Sequence, residues 1–139
     1  MSIAEHAPPY IRAISPYQPG KPITQLAREM GIPVDRIVKL ASNENPLGMS
    51  PRARAAMQAA MDGLERYPDQ FDLTAALSER FGVGIEQIVL GNGSNDVLDL
   101  AARVFLAPGR SSVFSRHAFA VYPLATMSAG GECIVVPAR

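Results

Sequence analysis

The stretch from Gln87 to Leu106 constrains this chain more than any other. A short apolar run, Gln87-Ile88-Val89-Leu90, passes through a turn with two glycines, Gly91-Asn92-Gly93-Ser94, into an amphipathic segment, Asn95 to Leu106. That order reads as strand, tight turn and helix, and it recurs downstream. Pro108-Gly109 closes the first helix, Val113-Phe114 is a second strand, Ala118 to Ala129 a second helical stretch, and Ile134 to Val136 a further strand. Strands alternating with helices at this spacing predict a mostly parallel sheet with helices on both faces, so the expected fold class is α/β. Pro123 would cost about 3 kcal/mol inside a helix but little in its first turn, which moves the expected start to Phe119 or later.

Upstream the texture differs. Seven prolines (Pro8, Pro9, Pro16, Pro19, Pro22, Pro33 and Pro46) fall within the first fifty residues, where each fixes φ and removes a donor. Residues 1–50 are therefore expected to form an arm and small-domain segment, and residues 51–139 the first, incomplete part of a larger α/β domain. Within the arm, Ile23, Leu26, Ala27 and Met30 repeat at helical spacing between Pro22 and Gly31. Ile37 to Leu40 is a brief strand candidate. Ser50-Pro51 is a helix opening, with the Ser hydroxyl expected to cap a free amide, and the Ala-rich run closes near Gly63. A further helix is expected from about Asp72 to Phe81, stopped by Gly82. The Ile134–Val136 run should be covered on both faces, yet only three residues follow it. The expectation is a slice through a larger enzyme, with exposed apolar surface on that strand and a tendency to associate.

Charge narrows the partners. Lys and Arg number 13 against 13 Asp and Glu, without clustering, which disfavours nucleic acid and anionic membranes. No apolar run approaches the roughly 20 residues of a membrane span and no secretory signal opens the chain, so a cytoplasmic address is expected. The single cysteine, Cys133, has no disulfide or metal partner and is expected in the core. His6 and His117 lack ligand-spaced companions and are expected to face solvent, no metal site is expected, and no carboxylate pair is placed for acid and base work.

The glycine turn carries the chemistry. Glycines allow close backbone approach, and the free amides and dipole at a helix N-terminus suit an anion such as phosphate. A plain glycine turn capped by Ser94 explains the same residues. A dinucleotide fingerprint fits less well: Asp96 stands where a small residue is needed, and Arg116 follows the second strand where an acid would hold the ribose.

Four segments in order carry a resemblance: Leu40-Ala41-Ser42-Asn43-Glu44-Asn45-Pro46-Leu47-Gly48, Arg66-Tyr67-Pro68-Asp69, Gly91-Asn92-Gly93-Ser94-Asn95-Asp96 and Phe119-Ala120-Val121-Tyr122. With Pro16-Tyr17-Gln18 ahead of them, they resemble the histidinol-phosphate aminotransferase family, pyridoxal-phosphate enzymes of the type I aminotransferase fold. The resemblance runs from about Pro16 to the last residue. It implies that Ser94 and Asn95 hold the cofactor phosphate through their amides and that Phe119 stacks on the pyridine ring. Tyr67 would reach the cofactor phosphate of a neighbouring subunit, making the site a homodimer property, and Tyr17 and Asn43 would face substrate. Each also has a plainer reading: Phe119 and Tyr122 as core, Tyr67 and Tyr17 as exposed aromatics, Asn43 and Asn45 as turn-formers bonding their own backbone.

Pyridoxal chemistry further requires a Schiff-base Lys and a carboxylate at the pyridine nitrogen. The resemblance places both beyond the last residue, with the Arg that binds the substrate carboxylate. The only lysines, Lys21 and Lys39, match neither the position nor the role, so no catalytic residue is assigned. The implied function is the N-terminal portion of an amino-transfer enzyme acting between glutamate or 2-oxoglutarate and the imidazole phosphate pair of histidine synthesis, inactive as these 139 residues alone. The alternatives are a non-catalytic α/β module that binds a phosphate or nucleotide, and an interaction protein that pairs with a complete aminotransferase.

Overall fold

Local chain chemistry sets most element boundaries in the computed structural model, which describes residues 3–138. In chain order the helices and strands are α1 (Pro9–Arg12), α2 (Ile23–Met30), α3 (Pro51–Ala60), α4 (Phe71–Phe81), α5 (Ser94–Phe105), β1 (Ser111–Ser115), α6 (Val121–Ser128) and β2 (Glu132–Val136), with short 3-10 turns between some of them. Gly31 and Gly82 follow α2 and α4 with φ near 65°, a left-handed conformation that glycine adopts without steric cost. Pro51 opens α3, where its missing N–H costs no bond.

The described residues form two compact units. One joins the chain up to Tyr17 with Phe71 onward, and the other is Gln18–Gln70.

In the first unit β1 and β2 pair in parallel, from Ser111 opposite Glu132 to Ser115 opposite Val136. Parallel neighbours need a crossover connection, and α6 supplies it, packed against both strands and α5. Thr126, 2% exposed, is the buried polar group of that helix. Its hydroxyl donates to the Tyr122 carbonyl at 2.7 Å and shares a 2.7 Å hydrogen bond with Ser112 Oγ on β1. Phe114 and Tyr122 stack with ring centroids 6.1 Å apart. A Cβ on Gly131 would stand 3.3 Å from both Thr126 Cγ2 and the Arg110 carbonyl, so the turn from α6 into β2 admits no side chain without a shift. Pro123 is the third residue of α6, within the turn whose amides have no intrahelical partner.

The second unit holds α2 and α3. Ala27 of α2 is buried, and Glu29 at its end accepts from Lys21 Nζ at 2.6 Å and Gln25 Nε2 at 2.9 Å. Every residue of α3 is exposed.

Several expectations change. Ile37–Leu40 and Gln87–Leu90 form no strand; Ile37 and Ile88 have extended dihedrals, but an extended run becomes a strand only when a neighbour takes its hydrogen bonds, and among the described residues neither has one. The residues ahead of Ile88 form a 3-10 turn, Ile85–Gln87, in which the Gln87 side chain accepts the Gly84 amide at 2.8 Å. Ser50 precedes α3 without a side-chain cap bond. Cys133 is half-buried rather than core; burial pushes its thiol pKa up, and its Sγ donates to the Pro123 carbonyl at 3.9 Å. Ile134, Val135 and Val136 of β2 are all exposed, as the sequence predicts. His6 and His117 face solvent.

Replacing Thr126 with Val keeps its shape and removes both hydrogen bonds. We expect a loss of about 1–2 kcal/mol, read as a lower urea midpoint. The hydrogen bond from Lys21, followed by that from Gln25, holds the Glu29 carboxyl below the usual carboxylate range. A depressed folded-state value contributes stability above the unfolded-state pKa and loses it as pH falls through the folded value. An NMR titration should place the Glu29 midpoint below that of a free Glu and return it upward in Lys21→Met.

Candidate functional site

The site begins at the N-terminus of α5, where backbone geometry is most constrained. Gly93 precedes the helix with φ 87° and ψ 174°, a region essentially confined to glycine. Gly91 is restricted by contact instead: a Cβ there would lie 2.9 Å from Val97 Cγ2 and 3.2 Å from Asp96 Cβ. The turn between them uses two of its own amides. Gly93 N–H donates to the Gly91 carbonyl at 2.8 Å and Asn92 N–H to Asp96 Oδ2 at 3.0 Å.

The next three amides, those of Ser94, Asn95 and Asp96, make no hydrogen bond among the described residues, and no side chain caps the helix. Ser94 therefore does not close the turn by capping it. Three adjacent free amides at the positive end of a 12-residue helix form a donor set suited to a phosphate. This chemistry fits the phosphate of a pyridoxal cofactor at the residues the sequence singled out.

An open cavity of about 320 Å³ lies between α5 and α6, walled by Asn95, Asp96, Asp99, Leu124, Ser128 and others. Its two carboxylates disfavour an anion inside it, although Asp99 is paired with Arg103 at 2.6 Å. The anion chemistry therefore belongs to the amides and not to the cavity.

The other predicted residues divide between the two units. Phe119 shares the first unit with Ser94 and Asn95, in the turn between β1 and α6, and is 49% exposed rather than core. Tyr17 ends the first segment of that unit and is exposed. Asn43 and Tyr67 belong to the second unit, both exposed, with Tyr67 fully so.

Around Asn43 the loop is braced by its neighbours. Lys39, its side chain largely buried, pairs with Glu44 at 3.0 Å. Asn45 accepts from the Leu47 amide at 3.1 Å and donates to the Gly48 carbonyl at 2.8 Å. Asn45 is thus the turn-former, in the manner open to any Asx residue. Two contributors escaped the sequence reading. Asp96, which in sequence stands out only as a misfit to the dinucleotide fingerprint, binds the turn, and Lys39 carries no signal except its five-residue spacing from Glu44.

Comparison with known proteins adds the family. The family model described as "Aminotransferase class I and II" matches residues 35–139. "Histidinol-phosphate aminotransferase 1" of Dechloromonas aromatica is 75% identical over all 139 residues, which cover 38% of that protein. "Histidinol-phosphate aminotransferase 2" of Nitrosospira multiformis is 67% identical, with 100% of this chain and 36% of the relative covered. A crystal structure of histidinol-phosphate aminotransferase from Sinorhizobium meliloti, in complex with pyridoxal-5'-phosphate, matches 96% of this chain and 35% of its own, with a TM-score of 0.75 and 24% identity. The last match is a likeness of fold. The chain thus spans little more than a third of the length of the curated relatives it matches. With three quarters of its residues inside the family match and an α/β fold to agree, the chain belongs to the class I and II aminotransferases.

Proposed function

We propose that this chain is the N-terminal portion of a histidinol-phosphate aminotransferase and that it supplies phosphate-holding and ring-facing groups to a pyridoxal-phosphate site. The observation that carries this reading is identity over the whole chain, 75% and 67%, to two proteins named for that activity. The free amides of Ser94, Asn95 and Asp96 support it from the side of chemistry. In the complete enzyme the reaction would move an amino group between glutamate or 2-oxoglutarate and the histidinol-phosphate pair. Residues 1–50 would form the arm and part of a small domain, and residues 51–139 the start of the cofactor domain.

When bound, pyridoxal phosphate supplies an electron sink for carbanion chemistry. The residues of this chain bind and orient. The Ser94 and Asn95 amides would hold the phosphate, and the exposed ring of Phe119 would offer a stacking face. Tyr67 would act in a homodimer, across the subunit boundary, and Tyr17 and Asn43 would face the substrate. No helix of the described residues is long and apolar enough to cross a membrane, in keeping with a cytoplasmic enzyme.

The 139 residues alone would not transfer amino groups. Both lysines are engaged in ion pairs, Lys21 with Glu29 at 2.6 Å and Lys39 with Glu44 at 3.0 Å, and neither lies near the glycine turn in sequence.

Incubation with pyridoxal phosphate should give no visible-range band that borohydride fixes preferentially at Lys21 or Lys39. Specific labelling of either one, accompanied by turnover, would sink the reading. Noncovalent binding, followed by calorimetry, should weaken in Gly93→Ala. An alanine Cβ at that backbone geometry costs about 1–3 kcal/mol and distorts the cradle.

A further inference from the structure

The bond from the Asn92 amide to Asp96 does more than satisfy a polar group. Asp96 Oδ2 accepts that amide at 3.0 Å, four residues back along the chain. The same oxygen and the Asp96 Cβ stand 3.2 Å from the point where a Cβ on Gly91 would lie, with Val97 Cγ2 closer still at 2.9 Å. The turn is therefore folded down onto this side chain, and only glycine at position 91 permits the approach. With Gly93 N–H held by the Gly91 carbonyl at 2.8 Å, the five amides from Asn92 to Asp96 divide into two that shape the turn and three that remain free.

A carboxylate in the first turn is favoured by the helix dipole, but its charge opposes a phosphate held by neighbouring amides. A residue chosen only to serve the dipole need not bind Asn92. A residue chosen only to attract an anion would not be acidic.

We propose that Asp96 is a positioning residue for the phosphate cradle: its bond to the Asn92 amide keeps the Gly91–Gly93 turn in the shape that leaves three amides free, at the expense of some electrostatic repulsion. The inference rests on the cofactor reading above. It predicts that the two functions of the side chain separate on substitution. Asp96→Asn retains an acceptor for the Asn92 amide and loses the charge, whereas Asp96→Ala loses both.

The test uses the 139-residue chain, isotopically labelled, as wild type, D96N and D96A. Amide hydrogen exchange of Asn92 reports the turn, and calorimetric titration with pyridoxal phosphate reports the cradle. D96A should lose Asn92 protection and bind about tenfold more weakly, the scale of one charge-assisted hydrogen bond. D96N should keep the protection and bind at least as tightly as wild type. A role confined to helix stability would instead weaken both variants, because both lose the first-turn charge.

Equal affinity in D96A and wild type, or equal weakening in D96N and D96A, overturns the proposal. The D96N arm stands even where D96A fails to fold. Wild-type chain that protects Asn92 yet binds no pyridoxal phosphate overturns this proposal, while the family reading, which rests on identity to the relatives, stands. Wild-type binding that D96A retains in full removes this proposal alone.

Discussion

The crossover from β1 to β2 through α6 is the constraint on which the α/β unit depends. Two parallel strands cannot be joined by a tight turn, so the chain must leave β1, run back antiparallel to it as a helix and re-enter beside it. Thr126 links that helix to β1 through Ser112 while returning its own hydrogen to the helix carbonyl of Tyr122. A buried hydroxyl without partners would be costly; here both of its capacities are used. The Phe114–Tyr122 stack and the side-chain-free turn at Gly131 hold the same three elements together.

Helix α5 packs on α6, and this connects the sheet to the glycine turn. The anion-binding capacity of Ser94 and Asn95 lies in their backbone and not in their side chains. It therefore depends on where α5 begins, which Gly93 decides through its positive φ, and on which amides the turn has already consumed. Asp96 and the Gly91 carbonyl consume two. The amides of Ser94, Asn95 and Asp96 are thus left as hydrogen-bond donors among the described residues by backbone geometry alone.

Much of the fold was legible in the sequence where the signal was local. Pro22 and Gly31 bracket α2, Gly82 stops α4, and Pro123 moves α6 to a start at Val121, each because a single residue's backbone limits decide the boundary. Ile37–Leu40 and Gln87–Leu90 have the composition of strands but form none, because strand character needs a partner, and apolar β-branched residues report only a preference for extended backbone. Cys133 was expected in the core on residue type alone, yet it sits on a strand whose other apolar residues are exposed.

For the candidate site, the sequence determined residue types and their order: the glycines, the helix that follows and the motifs that mark the family. These are properties of short segments, and they survive without knowledge of what packs where. Only the tertiary structure decided which polar groups are already spent. It assigns Asn45 to its own turn, Asp96 to the Asn92 amide and both lysines to carboxylates, and it leaves three consecutive amides free. The reason is physical: a hydrogen-bond donor is available only when nothing nearby accepts from it, and proximity across a turn or loop is a property of the folded backbone.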